Sequence, residues 1–193
     1  MHARSAPVLE GEIVRLEPLG HEHAGGLWEA SRDPAVWRWL SVLQPQSPQE
    51  LEAWIDDALA SDDEPFATVL RETGVPVGST RFLSRRPEHR SIEIGWTWLA
   101  SSAWGTGANV EAKLLMLEEA FERRGCRRVE LKTDAQNERS RKAIEALGAS
   151  FEGVHRQHML VRDGENRDSA WYSVLDDEWP EVRVRLLGRL GRL

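Results

Sequence analysis

The stretch from Ser91 to Lys132 limits the fold of this chain more than any other. Ser91–Leu99 alternates as a strand does, with Ile92, Ile94, Trp96 and Trp98 predicted on one face and Glu93, Gly95 and Thr97 on the other. After a glycine-containing loop the period changes. Val110, Leu114, Leu117 and Phe121 fall on one helical stripe, and Glu111, Lys113, Glu118 and Glu122 lie largely outside it. This helix should stop near Gly125, and Arg128 to Lys132 reads as a short strand. Strand, helix and strand in that order make a parallel pair, because a crossover helix joins parallel neighbours.

The remaining segments supply antiparallel partners and helices. Glu12 to Glu17 has strand periodicity that Pro18 should end, and His21 to Ser31 reads as a short helix before Asp33 and Pro34. Ser47, Pro48, Gln49 and Glu50 offer a capping box with proline at the first helical position, so a helix should run from Pro48 to about Ala60. Phe66 to Arg71 and Val75 to Leu83 form a hairpin through Glu72, Thr73 and Gly74, which places three antiparallel strands in a row. Asn137 to Leu147 is a helix closed by Gly148. Phe151 to Val161 is a strand entering an Asp163, Gly164 turn, and Asp168 to Leu175 pairs back. Asp176 or Asp177 caps a last helix.

Composition narrows the classes. The 193 residues carry a formal charge of -7, one cysteine and nine tryptophans against one tyrosine. Their length suits a single domain, and no apolar run approaches the roughly 20 residues that span a bilayer. The polar Met1 to Pro7 has no apolar signal core and a lone Cys126 allows no internal disulfide framework, so a cytoplasmic setting is expected, with no membrane partner. The acidic balance argues against nucleic acid as a partner.

Ala103, Trp104, Gly105, Thr106, Gly107, Ala108 and Asn109 lie between the strand and the long helix. Glycines there let successive amides point at one anion, and the helix amino end adds roughly half a positive charge at the same place. The glycines alone leave a plain tight turn equally open. Neither the dinucleotide fingerprint nor the Walker loop is matched, since the third glycine of one and the lysine of the other are missing.

The region from Ile92 to Leu175 resembles the GNAT superfamily of N-acetyltransferases, and most closely its RimJ/RimL-like branch. Ile94, Gly95, Trp96, Thr97, Trp98 and Leu99 look like that branch's fourth strand. Gly107, Ala108, Asn109, Val110, Glu111 and Ala112 look like the loop and helix start that bind the coenzyme A pyrophosphate. Asn137, Glu138, Arg139 and Ser140, followed by Leu147, Gly148 and Ala149, are similar to the family's Asn-x-x-Ser helix with its leucine-glycine end. Three positions depart from the pattern, the first being Asn109, which stands where the loop has its second small residue. Trp104 stands where the loop usually opens with Gln or Arg, and Ile144 stands where many members have a tyrosine acid, which leaves Ser140 as the acid candidate.

The resemblance implies a mixed α/β fold (α+β): a mostly antiparallel sheet with a splayed parallel pair, the family's fourth and fifth strands, and flanking helices. In one continuous domain, residues 12–99 would carry the acceptor-side helices, 100–175 the acetyl-CoA core and 176–193 the last helix. Acetyl-CoA would be the co-substrate. Its pantetheine arm would pair with backbone of Trp98 and Leu99, and its pyrophosphate would lie on the amides of Gly105, Thr106, Gly107, Ala108, Asn109 and Val110, with Asn137 and Ser140 nearby. Attack of an amine on a thioester needs a neutral nucleophile, a held oxyanion and a proton for the thiolate. An alkyl amine of pKa about 10 is mostly protonated at neutral pH. Glu93, directly or through water, is the candidate base and Ser140 the candidate acid. A solvated strand carboxylate and a polar helix residue are their bland alternatives.

Other features carry less. His155 and His158, three apart on a strand, should face opposite ways, so no metal is expected. Cys126 and the single Tyr172 read as packing residues. Among the basic residues, Arg141 and Lys142 are candidates for the coenzyme 3′-phosphate. Trp28, Trp37, Trp39 and Trp54 lie in the amino-terminal region that walls the acceptor cleft in this superfamily. Trp37 and Trp39 are candidate acceptor contacts, with helix packing as the equal alternative. The acceptor is expected to be a primary amine, of a protein N-terminus or a small molecule. A homodimer is common in such folds. Two rivals stay open: a coenzyme A sensor without turnover, and an unrelated phosphate-binding α/β enzyme.

Overall fold

A computed structural model describes residues 6–162 and 164–193. Met1 to Ser5 of the polar amino end and Asp163 of the expected turn lie outside the described residues. The strands are β1 (Leu9–Glu10), β2 (Val14–Pro18), β3 (Glu64–Leu70), β4 (Pro76–Arg86), β5 (Ser91–Leu99), β6 (Arg128–Asp134), β7 (Ser150–Val161) and β8 (Glu165–Leu175). The helices are α1 (Ala24–Ala30), α2 (Pro34–Trp37), α3 (Pro48–Ala60), α4 (Ala108–Glu118), α5 (Glu138–Leu147) and α6 (Trp179–Arg189). One eight-stranded sheet runs β1-β2-β3-β4-β5-β6-β8-β7, antiparallel except for β5 and β6. The mixed α/β sheet with one parallel pair is the fold the crossover required. Among the described residues no helix is long and apolar enough to cross a membrane.

Local chemistry explains the element ends. Ser47 Oγ accepts from Glu50 N at 3.2 Å and Pro48 opens α3, which runs to Ala60 as the box predicts. Gly148, at φ 110°, closes α5 by letting its own amide turn back to Glu145 and Ile144. The last helix departs from expectation. It starts one residue after Glu178, whose side chain accepts from Leu175 N, so neither Asp176 nor Asp177 is its cap.

Alternation along β4 assigns the two faces of the sheet. Thr80 meets Met116 of α4, while Arg81 lies over the ring of Trp54 in α3. On β5 the strict alternation fails. Ser79 pairs with Trp98 and Arg81 with Gly95, so Trp96 and Thr97 together oppose Thr80, and Trp96 takes a φ of 50°. This β-bulge reverses the facing of everything after it. Thr97 now meets Thr80 and Lys113 on the α4 side, and Trp98 packs with Trp37 and Trp54 on the opposite side. Trp96 and Trp98 therefore do not share a face with Ile94, and Trp96 sits under the Arg81 guanidinium, 4.6 Å from its ring centroid.

A second correction concerns α4. Glu111 and Lys113, expected outside the apolar stripe, are both buried. The helix is covered on its sheet side by the strands and on another side by β1, β2 and α6, so Glu111 and Lys113 have no solvent to face. Glu111 answers burial by accepting from the amides of Glu12, Ile13 and Val14 at 2.6–2.8 Å and pairing with Arg192 at 2.6 Å. It pins the chain entering β2 to α4.

Candidate active site

The parallel pair is short. β5 and β6 are in register only from Ser91–Arg128 to Glu93–Glu130, and from Ile94 onward β5 has no neighbour on that side. The strands part there, and β6 turns its other edge to β8. The gap opens into a cleft of about 570 Å³ walled by β5, β6, α5 and the loop before α4.

One end of the cleft suits an anion. Gly105 and Gly107 take φ of 77° and 88°, and a Cβ on Gly107 would lie 2.9 Å from Ile13 Cδ1, so the turn requires glycine there. Gly107 is the N-cap of α4 and supplies no side-chain acceptor; Ala108 N donates to Thr106 Oγ1 at 3.4 Å, and the first-turn amides after it are left for a ligand. Asn109 lines the cleft, and its Oδ1, an acceptor with no partner among the described residues, leaves an anion to the backbone amides. These residues fit the pyrophosphate of a coenzyme. Gly105, Gly107 and Val110 line the cleft as well. Thr106 instead donates to Ala103 O at 2.8 Å, and Ala108 is buried in the helix start. Trp104 bridges the loop to the strand: its Nε1 donates to Leu99 O at 3.0 Å, and Arg139 lies 3.7 Å over its ring. The Leu99 carbonyl is thus already engaged, and only the rest of the open β5 edge remains for an extended ligand arm.

Positive charge near that arm comes from residues other than those expected. Arg139 of α5 and Arg189 of α6 line the cleft. Arg141 bonds Tyr172 Oη at 3.0 Å, the oxygen that in turn donates to Glu145, and exposed Lys142 pairs with Glu138. Helical spacing explains the loss of Arg141, since a residue two positions from Arg139 points to another side of α5.

At the middle of the cleft Glu93 is 1% exposed. Its two carboxylate oxygens lie 2.7 and 2.8 Å from Lys132 Nζ, and Ser84 Oγ stands 3.4 Å from one of them. It is a buried, ion-paired carboxylate, so the solvated alternative does not hold. Across from it, Asn137 spends its side chain capping α5, accepting from Ser140 N at 3.1 Å. The Ser140 hydroxyl has no partner among the described residues and lies on the cleft wall. Lys113 also reaches the cleft, from α4. Its Nζ donates to Thr97 Oγ1 at 2.6 Å, no carboxylate pairs with it among the described residues, and burial pushes its ammonium down to about 7.

The far end is aromatic and basic. Trp39 lines it, with the Arg38 guanidinium 5.0 Å over the ring. Trp37 does not. It is 3% exposed, donates its Nε1 to Ser31 O at 2.9 Å, and packs against Trp54 and Trp98. A direct acceptor contact is therefore corrected to core packing for Trp37. We expect Trp39→Leu to raise the acceptor KM several-fold at unchanged thermal midpoint. Trp37→Leu should cost about 2–4 kcal/mol of stability and leave KM unmoved, read from denaturant curves and initial rates.

His155 and His158 also end up together rather than apart, their rings 5.6 Å from each other and both against Trp171. A register shift between His155 and Met159 in β7 realigns them. Among the described residues no three His, Cys, Asp or Glu side chains are grouped to hold a metal. Cys126 is buried, and burial raises its thiol pKa.

Sequence reasoning missed Lys113, Lys132 and Arg167, all of which line the cleft. Lys132 had a readable signal: it lies two residues beyond the Glu130 that pairs with Glu93, hence on the same face of β6. The other two had none, because a lone lysine in a helix and a lone arginine in a strand read as solvated.

A family model described as an acetyltransferase (GNAT) domain matches residues 14–150. Among curated proteins, the chain is 24% identical over 172 residues to an uncharacterised N-acetyltransferase, p20, of Bacillus licheniformis, covering 87% of this chain and 96% of that one. A GCN5-related N-acetyltransferase structure from Brucella melitensis superposes with a TM-score of 0.90 at 36% identity, over 94% of this chain and 84% of the other. The spermidine N-acetyltransferase of Vibrio cholerae, solved with CoA and spermine, shares the fold at a TM-score of 0.71 and 15% identity, over 88% and 99% of the two chains.

Proposed function

The chain belongs to the GNAT family of acetyltransferases, and we propose that it moves the acetyl group of acetyl-CoA directly to a primary amine, with no covalent enzyme intermediate. The single observation that carries this reading is the parting of β5 and β6 after Glu93, beside an uncapped helix start: together they provide a slot for an extended arm and a cradle for its phosphates. Acetyl-CoA would supply the activated thioester when bound. Gly105 through Val110 would hold its pyrophosphate by backbone, with Arg139 and Arg189 adding charge. The open edge of β5 around Trp98 would receive the arm.

The chain's own groups then divide the work. The β-bulge at Trp96 and Thr97 takes backbone amides out of the ladder with β4, and an amide there is the donor we assign to the oxyanion. Ser140, its hydroxyl free toward the cleft, gives the proton to the leaving thiolate. Glu93 is too buried to touch the incoming amine and takes its proton through water, its carboxylate oriented by Lys132. Ser140→Ala should lower kcat by about 10²-fold while the Kd for acetyl-CoA stays near the parent value, measured by thiol release and calorimetry.

The RimJ/RimL-like branch is part of this reading, supported by the Asn137 and Ser140 helix with its Leu147, Gly148 end. So is a cytoplasmic setting, supported by the single free cysteine. The acceptor amine belongs to a protein N-terminus or to a small molecule. A thiol-release assay with acetyl-CoA against amino acids, polyamines, aminoglycosides and short peptides tests the whole. Amine-dependent release with any one acceptor supports it. Tight binding of acetyl-CoA with no release across the panel would instead mark a sensor module.

A further inference from the structure

Arg167 of β8 is 9% exposed and lines the acceptor end of the cleft. Among the described residues its side chain has no hydrogen bond and no ion pair, and its Nε is buried without a partner. The two carboxylates nearest in effect, Asp134 and Glu93, favour its charge without reaching it. Glu93 is occupied by Lys132, and Asp134 Oδ1 accepts from Gln136 N at 2.9 Å. Burial lowers the Arg167 pKa, yet a guanidinium stays protonated under any ordinary condition. Among the described residues the fold therefore holds a buried cation with no directly paired carboxylate at the edge of its own cleft, an arrangement that costs stability unless something else pairs with it.

We propose that Arg167 binds a carboxylate on the acceptor, so that the substrate is a small amino acid: an amine to be acetylated and a carboxylate to hold it in place. This rests on the acetyltransferase reading and names the acceptor within it. A planar guanidinium with free N–H groups matches a carboxylate in two parallel bonds, which fixes direction as well as position. Lys132 cannot do the same, since Glu93 neutralises it. The size of the acceptor follows from the roof of this end. Arg162, at the end of β7, donates its backbone amide to Ser41 O at 2.8 Å and its Nη1 to Leu40 O at 2.6 Å and Arg38 O at 3.0 Å. Leu40 and Ser41 both line the cleft, so the loop after α2 is strapped across the acceptor end by the hairpin that carries Arg167. A compact molecule fits beneath such a strap, whereas a folded protein's chain end would have to displace it.

Matched acceptors test the contact: free α-, β- and γ-amino acids against their carboxamides, with putrescine and a tripeptide beside them. The wild-type protein should favour the best amino acid over its carboxamide by at least about 10–100-fold in kcat/KM. Arg167→Met, close in length and apolar, should erase that ratio, and Arg167→Lys should keep part of it. Equal rates on acid and amide, preference for putrescine or the tripeptide, or an unchanged ratio in Arg167→Met would overturn the proposal. Calorimetry on the CoA-loaded protein, titrated with N-acetylated amino acids and with N-acetylated carboxamides, reads the same contact without turnover. If no amine drives thiol release but the acids still bind in an Arg167-dependent way, the acetyltransferase reading fails and the carboxylate site stands. If acids and amides bind alike, the carboxylate site fails whatever the activity.

Discussion

Glu111→Ala should lower the stability of the protein by about 3–5 kcal/mol, the largest loss we expect from any single surface-invisible substitution in it. The carboxylate is fully buried and serves four donors: the amides of Glu12, Ile13 and Val14 and the guanidinium of Arg192. Truncation leaves three backbone N–H groups without their acceptor and Arg192, partly exposed, with Glu12 as its remaining partner, and each unsatisfied amide costs its desolvation. The entry to β2 and the chain after α6 would both come loose from α4. Urea unfolding would show the midpoint moved far down. Glu111→Gln, which keeps one acceptor oxygen, should recover part of the loss. A midpoint within 1 kcal/mol of the parent would contradict the account.

Lys113→Met should do the reverse and stabilise the fold, by an amount that depends on pH. The folded-state pKa of Lys113 is about 7 against an ordinary 10.5. Below pH 7 both folded and unfolded chains carry the proton, so the folded state bears the full cost of a buried charge. Between 7 and 10.5 the folded lysine is neutral while the unfolded one is still protonated, and stability rises with pH. Above 10.5 the cost is gone. Methionine removes it at every pH, so its gain is greatest at pH 6, at most on the order of 4–5 kcal/mol, and fades toward pH 10. The hydroxyls that lose the ammonium are not orphaned, because Thr80 and Thr97 bond each other at 2.8 Å. Denaturant midpoints of both proteins from pH 6 to 10 check this. A gain independent of pH, or one that grows with pH, would contradict it.

Most of the fold was legible because its signals are local. The capping box at Ser47, the Gly148 stop and the strand–helix–strand order from Ser91 to Lys132 each state their structure within a few residues. The bulge at Trp96 was not legible. Seven alternating residues read as one continuous strand, and only the pairing with β4 reveals that two of them face one partner. Lys113 and Glu111 were misplaced for a related reason. Helical periodicity identifies the side that meets the sheet, and it is silent when β1, β2 and α6 cover other sides too.

The site divides along the same line. Gly107, Asn109, Asn137, Ser140 and Glu93 were found through motifs and all reach the cleft. Trp37 and Trp39, two residues apart, read as equivalent, yet α2 buries the first and leaves the second on the cleft wall. Arg167 stood in a segment with no motif, and its meaning lies only in the absence of a side-chain partner among the described residues. Nothing in a linear sequence displays such an absence.

A crystal structure of the protein with bound CoA tests the central claim most directly, that the gap between β5 and β6 is where acetyl transfer occurs. The account expects the pyrophosphate on the amides at the start of α4 and the arm along the open edge of β5 near Trp98. It places the sulfur between the Ser140 hydroxyl and the bulge at Trp96. A coenzyme lying elsewhere, or a sulfur out of reach of Ser140, would contradict it.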